Sequence, residues 1–478
     1  MSSIRFTDVP TTLHKPGSYV ELDTSSARPG LPAVVDKIVL IGQMTAAATV
    51  DEGDIKSLTS SADAATFFGR GSMLHRMALG ALVAYPYVTL YAVGLDDAGA
   101  GTAASGSFQF TGSGLTAGTL SVYIGDDAVE VAVSADDADA DIAAAVEAAL
   151  DAALDLPVTA SSSTDTVTVT ARHKGVLGNQ LDLDYEFTGQ GLTVTVTAMA
   201  SGATDPDAQT ALDAIEQLDG TIIVFPYNNA TDLGELSDHL VARSDGVEQR
   251  PAVGVTAIDT TVSAGTTLAT GLNDDRVTLL NLPGTRTWAP ELAAAYAAVL
   301  ASESDVARPL NGLELKGVHA PDVADRLTRT EHETSLANGV ATAEVGAASK
   351  VLIVRSVSTK TTDADGGSYL ALHDIQVIRT LDYIRTALKA RIDSKYRRVK
   401  IADLARGPNT TDPDKIRADV LDVLYALEQA GYVENVEDNQ DGVVVERNDA
   451  DVNRVDIQLP ADVVDGLHVV AARIVLTV

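Results

Sequence analysis

Apolar positions along the chain follow three patterns that change at definable places. Residues 37–42 form a short apolar run closed by Gly42, the signature of a strand buried on both faces. Residues 221–226, 251–258 and 276–282 repeat it. Between these runs the spacing becomes helical. Met73, Leu74, Met77, Leu79 and Leu82 share a face behind Ser72, which is placed to cap that helix. A second apolar helix is predicted over 289–302 behind Trp288. Alternating strands and helices predict a mainly parallel α/β sheet.

Between residues 100 and 200 the period drops to two. Strands are predicted over 119–124, 128–133, 166–170, 181–187 and 192–197, with Gly125-Asp126-Asp127 as a hairpin turn. One helix, 139–154, puts Ile142, Val146, Ala149 and Leu150 on one face. The segment reads as an inserted β-sandwich. Residues 346–466 read as α+β. A strand is predicted over 351–357. A long helix carries Ile375, Ile378, Leu381, Ile384 and Leu388, and a second is opened by Asp412-Pro413 and closed by Gly431. A hairpin is predicted between 432–437 and 443–447, turning at Asn439-Gln440-Asp441-Gly442.

The two ends belong to neither pattern. Residues 1–35 carry Pro10, Pro16, Pro29 and Pro32, which forbid a long helix and suit an extended arm with one short strand over 19–23. Residues 467–478 are apolar and strand-forming to the last position. An ordinary strand of the same chain and a strand exchanged with another copy are both open, since an unpaired edge of this kind associates. The expected organisation is an arm (1–35), the first part of an α/β core (36–99), the sandwich (100–200), the rest of the α/β domain (201–345), an α+β domain (346–466) and a linking strand (467–478).

Composition narrows the function. The chain has 478 residues, no cysteine and a formal charge of −33, from 67 acidic against 34 basic residues. Disulfides, thiol catalysis and thiolate metal sites are excluded. So acidic a surface repels nucleic acid and anionic lipid. A high-salt host and a GC-rich genome both account for the acidity. No apolar run reaches the roughly eighteen residues of a membrane span, and the start MSSIRFTDVP lacks a signal-peptide pattern.

Candidate chemistry is sparse. G-x-S-x-G and P-loop motifs are missing. Phe68-Gly69-Arg70-Gly71-Ser72 could cradle an anion or simply start a helix tightly. Glu331-His332-Glu333 has no second histidine one turn away. Asp137-Ala138-Asp139-Ala140-Asp141 opens like a calcium loop, but Ile142 and Ala148 stand where glycine and glutamate are needed. No cofactor or metal is therefore expected, nor enzymatic activity. Arg385, Lys389, Arg391, Lys395, Arg397, Arg398 and Lys400 form a basic stretch in an acidic chain. It reads as a patch complementary to an acidic neighbour rather than a nucleic-acid site, since Tyr396 is its only aromatic.

Taken in order, several segments resemble the tail sheath proteins of contractile phage tails, in their Mu-like branch. Pro16-Gly17-Ser18-Tyr19-Val20-Glu21 is similar to the P-G-x-Y-x-E opening. Phe67-Phe68-Gly69-Arg70-Gly71-Ser72-Met73-Leu74 is similar to an F-G-x-G-S-x-L segment, and Ala171 to Asn179 to the A-x-x-x-G-x-x-G-N that closes the inserted domain. The resemblance implies a subtilisin-like α/β domain without catalytic triad, an outward β-sandwich, and a C-terminal domain facing a tail tube. It implies terminal segments that link neighbouring subunits, here Tyr19, Val20, Glu21 and Leu22 at one end and Val469, Val470, Ile474, Val475 and Leu476 at the other. Implied partners are further copies of the chain, the tail tube protein, and baseplate and tail terminator proteins, in a virion tail assembled in the host cytoplasm. The sheath of a non-phage injection system is the alternative. An α/β hydrolase, the reading from a different class, would need a convergent catalytic pocket.

Overall fold

The computed structural model describes residues 12, 14–20 and 30–476. They divide into a larger unit, residues 34–385 with 463–478, and a smaller one, residues up to 33 with 386–462.

The larger unit begins with β1 (Lys37–Gln43), β2 (Ile55–Leu58), α1 (Ser61–Phe68), α2 (Met73–Ala84) and β3 (Thr89–Leu95). From Ile38 onward β1 is buried throughout, as an apolar run flanked on both faces requires. Ser60 closes a capping box with Asp63 at the start of α1, and Ser72 caps α2 as its position predicts. The glycines before α2 make close backbone contacts that a tight helix entry requires. Gly71 lies at φ +75°, and a Cβ there would stand 2.5 Å from Leu156 O. Gly71→Ala is therefore expected to cost about 1–3 kcal/mol through strain and collision together, read as a lowered denaturation midpoint.

The chain then leaves this sheet for β4 (Ala103–Gly112), β5 (Gly118–Ile124), β6 (Asp127–Val133), α3 (Asp139–Ala152), β7 (Val158–Ser163), β8 (Thr166–Lys174), β9 (Leu183–Phe187) and β10 (Leu192–Ala200). Two antiparallel sheets result, ordered β10-β4-β8-β7 and β6-β5-β9. Phe108, Phe110, Val167 and Val169 point inward, and Ser107, Gln109, Thr166 and Thr168 alternate with them in matched register. That period of two is what the sequence displayed.

Returning, the chain forms α4 (Gln209–Ala214), β11 (Ile222–Val224), α5 (Ala230–Ser244), β12 (Val253–Ile258), α6 (Val262–Leu272), β13 (Val277–Asn281), α7 (Ala289–Ser302), α8 (Arg329–Ala337), β14 (Ala341–Val345) and β15 (Val351–Arg355). The complete sheet runs β15-β14-β13-β12-β11-β1-β3-β2. Neighbours from β14 to β3 are parallel, and antiparallel β15 and β2 close the edges. Helix α7 is buried from Ala289 to Leu300, and its alanines let α2 approach closely. This is a mixed α/β fold with several sheets.

Helix α9 (Ile375–Tyr396) passes the division at Arg385. The smaller unit holds its second half, β16 (Lys400–Ile401), β17 (Thr410–Thr411), α10 (Pro413–Gln429), α11 (Val436–Asn439), β18 (Val444–Arg447) and β19 (Val455–Gln458). Asp412 caps α10 by accepting from Lys415 N at 2.9 Å, with Pro413 in the first turn. The hairpin expected between 432–437 and 443–447 does not form. Val436 is buried, and the Arg417 guanidinium donates to Gln440 O at 2.6 Å and Val443 O at 2.8 Å. Those bonds hold 436–442 in helical turns, so β18 pairs with β19 instead.

Candidate assembly surfaces

The segment after Asp462 has one anchored half and one bare half. Gly466 sits so close to Pro309 that a Cβ would lie 2.8 Å from its ring. His468 Nε2 is 3.6 Å from Asp374 Oδ2, and Arg355 grips the same carboxylate through two bonds of 2.7 Å. Burial lowers the His468 pKa, against the pull of Asp374. Beyond this clasp the side chains face solvent. Val469 is 79% exposed, Val470 78%, Ile474 97%, Val475 65% and Leu476 85%. Residues 467–476 join no ladder of their own chain, so the ordinary internal strand is absent there.

At the other end, Tyr19 OH donates to Lys15 O at 3.1 Å, curling residues 15–19 locally. Tyr19 and Val20 are exposed. Glu21 and Leu22 lie outside the described residues.

The basic stretch proves to be dispersed. Arg385 donates to Ser244 O at 2.6 Å. Arg391 is buried, with Nη1 2.7 Å from Asp422 Oδ2, and Lys395 pairs with Asp419. The spacing explains this: Arg391 and Lys395 stand four apart on α9, while Asp419 and Asp422 stand three apart on α10, so each pair shares a face. Arg391 therefore drops out as a surface contact. Lys389, Arg397, Arg398 and Lys400 are exposed, as is Lys395 beside its partner. The acidic pair on α10 was visible in the sequence, but nothing there set it opposite α9.

The other acidic and histidine motifs serve the fold. Asp137 accepts from Ser134 N, Asp139 from Gly112 N and Asp141 from Ala138 N. Glu331 completes a capping box with Thr328, and His332 Nδ1 lies 3.0 Å from Thr342 Oγ1. Among the described residues no group of three or more His, Cys, Asp or Glu could hold a metal, and no helix is long and apolar enough to cross a membrane.

Sequence reading missed the joint between the sandwich and the α/β sheet. Trp288 Nε1 donates to Leu177 O at 3.0 Å, and its ring lies 5.0 Å from that of His173. His173 is fully buried with neither ring nitrogen bonded, and burial pulls its pKa down to about 4. Arg76 and Glu291 of the α/β sheet's helices meet Asp127 of the β5–β6 turn across the same joint.

This mixed α/β fold with several sheets matches a known class of protein. The family model of the phage tail sheath protein central domain matches residues 201–359, and that of the phage tail sheath C-terminal domain matches residues 370–477. The chain belongs to the phage tail sheath proteins and is a structural subunit, not an enzyme. Within them it falls in the Mu-like branch. It is 30% identical over 483 residues to the Mu-like prophage FluMu tail sheath protein of Haemophilus influenzae, covering 99% of both chains. Two crystal structures share the fold. The sheath tail protein of Desulfitobacterium hafniense gives a TM-score of 0.52 at 17% identity, over 94% of this chain and 97% of that one. The sheath tail protein of Listeria innocua gives 0.50 at 13% identity, over 92% and 93%.

Proposed function

We propose that copies of this chain polymerise helically around a tail tube and contract to drive the tube through a host envelope. The observation that carries this reading is the strip of exposed apolar side chains from Val469 to Leu476 on a member of the sheath family. A subunit alone gains nothing from that strip; a neighbour supplying a strand edge buries it. Tyr19, Val20, Glu21 and Leu22 serve the same linking role from the other end. In this reading the parallel sheet is the subtilisin-like domain without its triad, and the sandwich faces outward. Lys389, Arg397, Arg398 and Lys400 contact the tube or an adjacent subunit.

Contraction follows as rigid-body rotation of subunits that buries more surface between them, released from a metastable array by a baseplate trigger. The tube protein, the baseplate and a tail terminator are the partners, and the array is built in the host cytoplasm before becoming part of the virion. Electron microscopy of the purified chain tests the reading. Hollow helical tubes or rings are the expected result, and a monodisperse monomer at high concentration across all salt levels overturns it.

A further inference from the structure

The sandwich docks on the α/β sheet through a cluster with more carboxylates than cations. The β5–β6 turn presents Asp126 and Asp127 to α2 and to the start of α7. Arg76 Nη2 is 2.6 Å from Asp127 Oδ2, and Arg76 also binds both oxygens of Glu291, at 2.7 and 3.0 Å. Thr287 Oγ1 donates to Asp126 Oδ2 and accepts the His319 N–H at 2.7 Å. Arg286 is drawn away to Asp184, with Asp182 3.9 Å off, and lies over the Tyr123 ring at 5.0 Å. Two carboxylates, Asp127 and Glu291, thus hold the buried Arg76, while the adjacent Asp126 pairs with no cation and its Oδ1 is buried without any donor.

An ionised carboxylate there gives up water and gains one hydrogen bond in exchange. Burial pushes the Asp126 carboxyl up to about 6. The Thr287 bond opposes this, Asp127 adds to it, and Arg76 and Arg286 oppose it. Burial also raises the Glu291 pKa, with Arg76 pulling it back.

We propose that this joint is a proton-responsive latch, in which protonation of Asp126 tightens the docking of the β5–β6 turn onto α2 and α7. The docked turn holds a proton that the free turn, with an ordinary carboxyl near 3.8, releases. Docking therefore strengthens as pH falls from about 6 towards 4, and that increment is lost as pH rises through 6. The device belongs to the single subunit and does not depend on helical assembly.

Three measurements on the full chain decide it. The Asp126 side-chain carbonyl carbon, followed by NMR, should titrate near pH 6; a midpoint at or below pH 4 overturns the latch. Amide exchange at residues 124–127, corrected for intrinsic rates, should slow about tenfold between pH 7 and pH 5. The same correction applied to Asp126→Asn should leave no such change. Asp126→Asn should melt above the unaltered chain at pH 7, with a smaller advantage at pH 5, and an equal difference at both pH values overturns the proposal. If Asp126→Asn does not fold, the carbon titration of the unaltered chain decides alone.

Discussion

Deleting residues 467–478 is expected to leave a folded subunit that no longer forms tubes. Val469, Val470, Ile474 and Leu476 are each more than three-quarters exposed, so their loss takes little apolar contact from the subunit's core. Each would contribute about 1.5–3 kcal/mol if fully buried against a neighbour. Four such residues at every contact of a polymer amount to a large cooperative term. Circular dichroism and thermal melting should change little, provided the cut spares Gly466 against Pro309; losing the His468–Asp374 contact removes a partly exposed pair. Electron microscopy should show no tubes. A truncated chain that polymerises normally removes the linking role of this end. Charged replacements at Ile474 and Leu476 make a gentler version of the same experiment.

Arg76→Ala is expected to have the largest effect on stability, about 3–5 kcal/mol. Arg76 is 5% exposed and faces two carboxylates, Glu291 and Asp127. Removing it strands Glu291, itself 8% exposed, without a counter-charge. The double variant Arg76→Met with Glu291→Leu removes both ions and should recover much of the loss, because the cost lies in the unpaired charge and not in a missing attraction. Trp288, the single tryptophan, sits in the same joint, so its fluorescence reports the transition directly. A single variant as stable as the unaltered chain would show that Glu291 is neutral in the folded state.

Much of this fold was legible because its elements carry their environment in their period. β1, β12 and β13 are mainly apolar runs and are buried on both faces. The sandwich strands alternate, and the cap at Asp412 lies where its residue type predicts. Order within the sheet was not legible: nothing local to β2 or β15 says that each closes an edge antiparallel. The hairpin at 432–447 was misread because Arg417, from another element, captures its carbonyls. The basic stretch read as one patch because its acidic partners lie on α10. Arg76 and Glu291 are 215 positions apart, and neither has a neighbour in sequence that hints at the other. The bare end was legible as unusual from its composition alone, and only the structure shows which side chains it leaves in water.

The sandwich leaves and rejoins the sheet at a single point. Thr102 N donates to Ala203 O at 3.0 Å, and Ala203 N donates back to Thr102 O at 3.1 Å. The base of the excursion is thus already zipped, and the entropy of closing it grows only slowly with what lies between. For a protein engineer this is a splice site: a foreign domain whose termini lie close together can replace residues 103–202, provided its underside covers Trp288 and Arg76, which are buried in the intact chain. Every subunit would then carry one copy of the cargo.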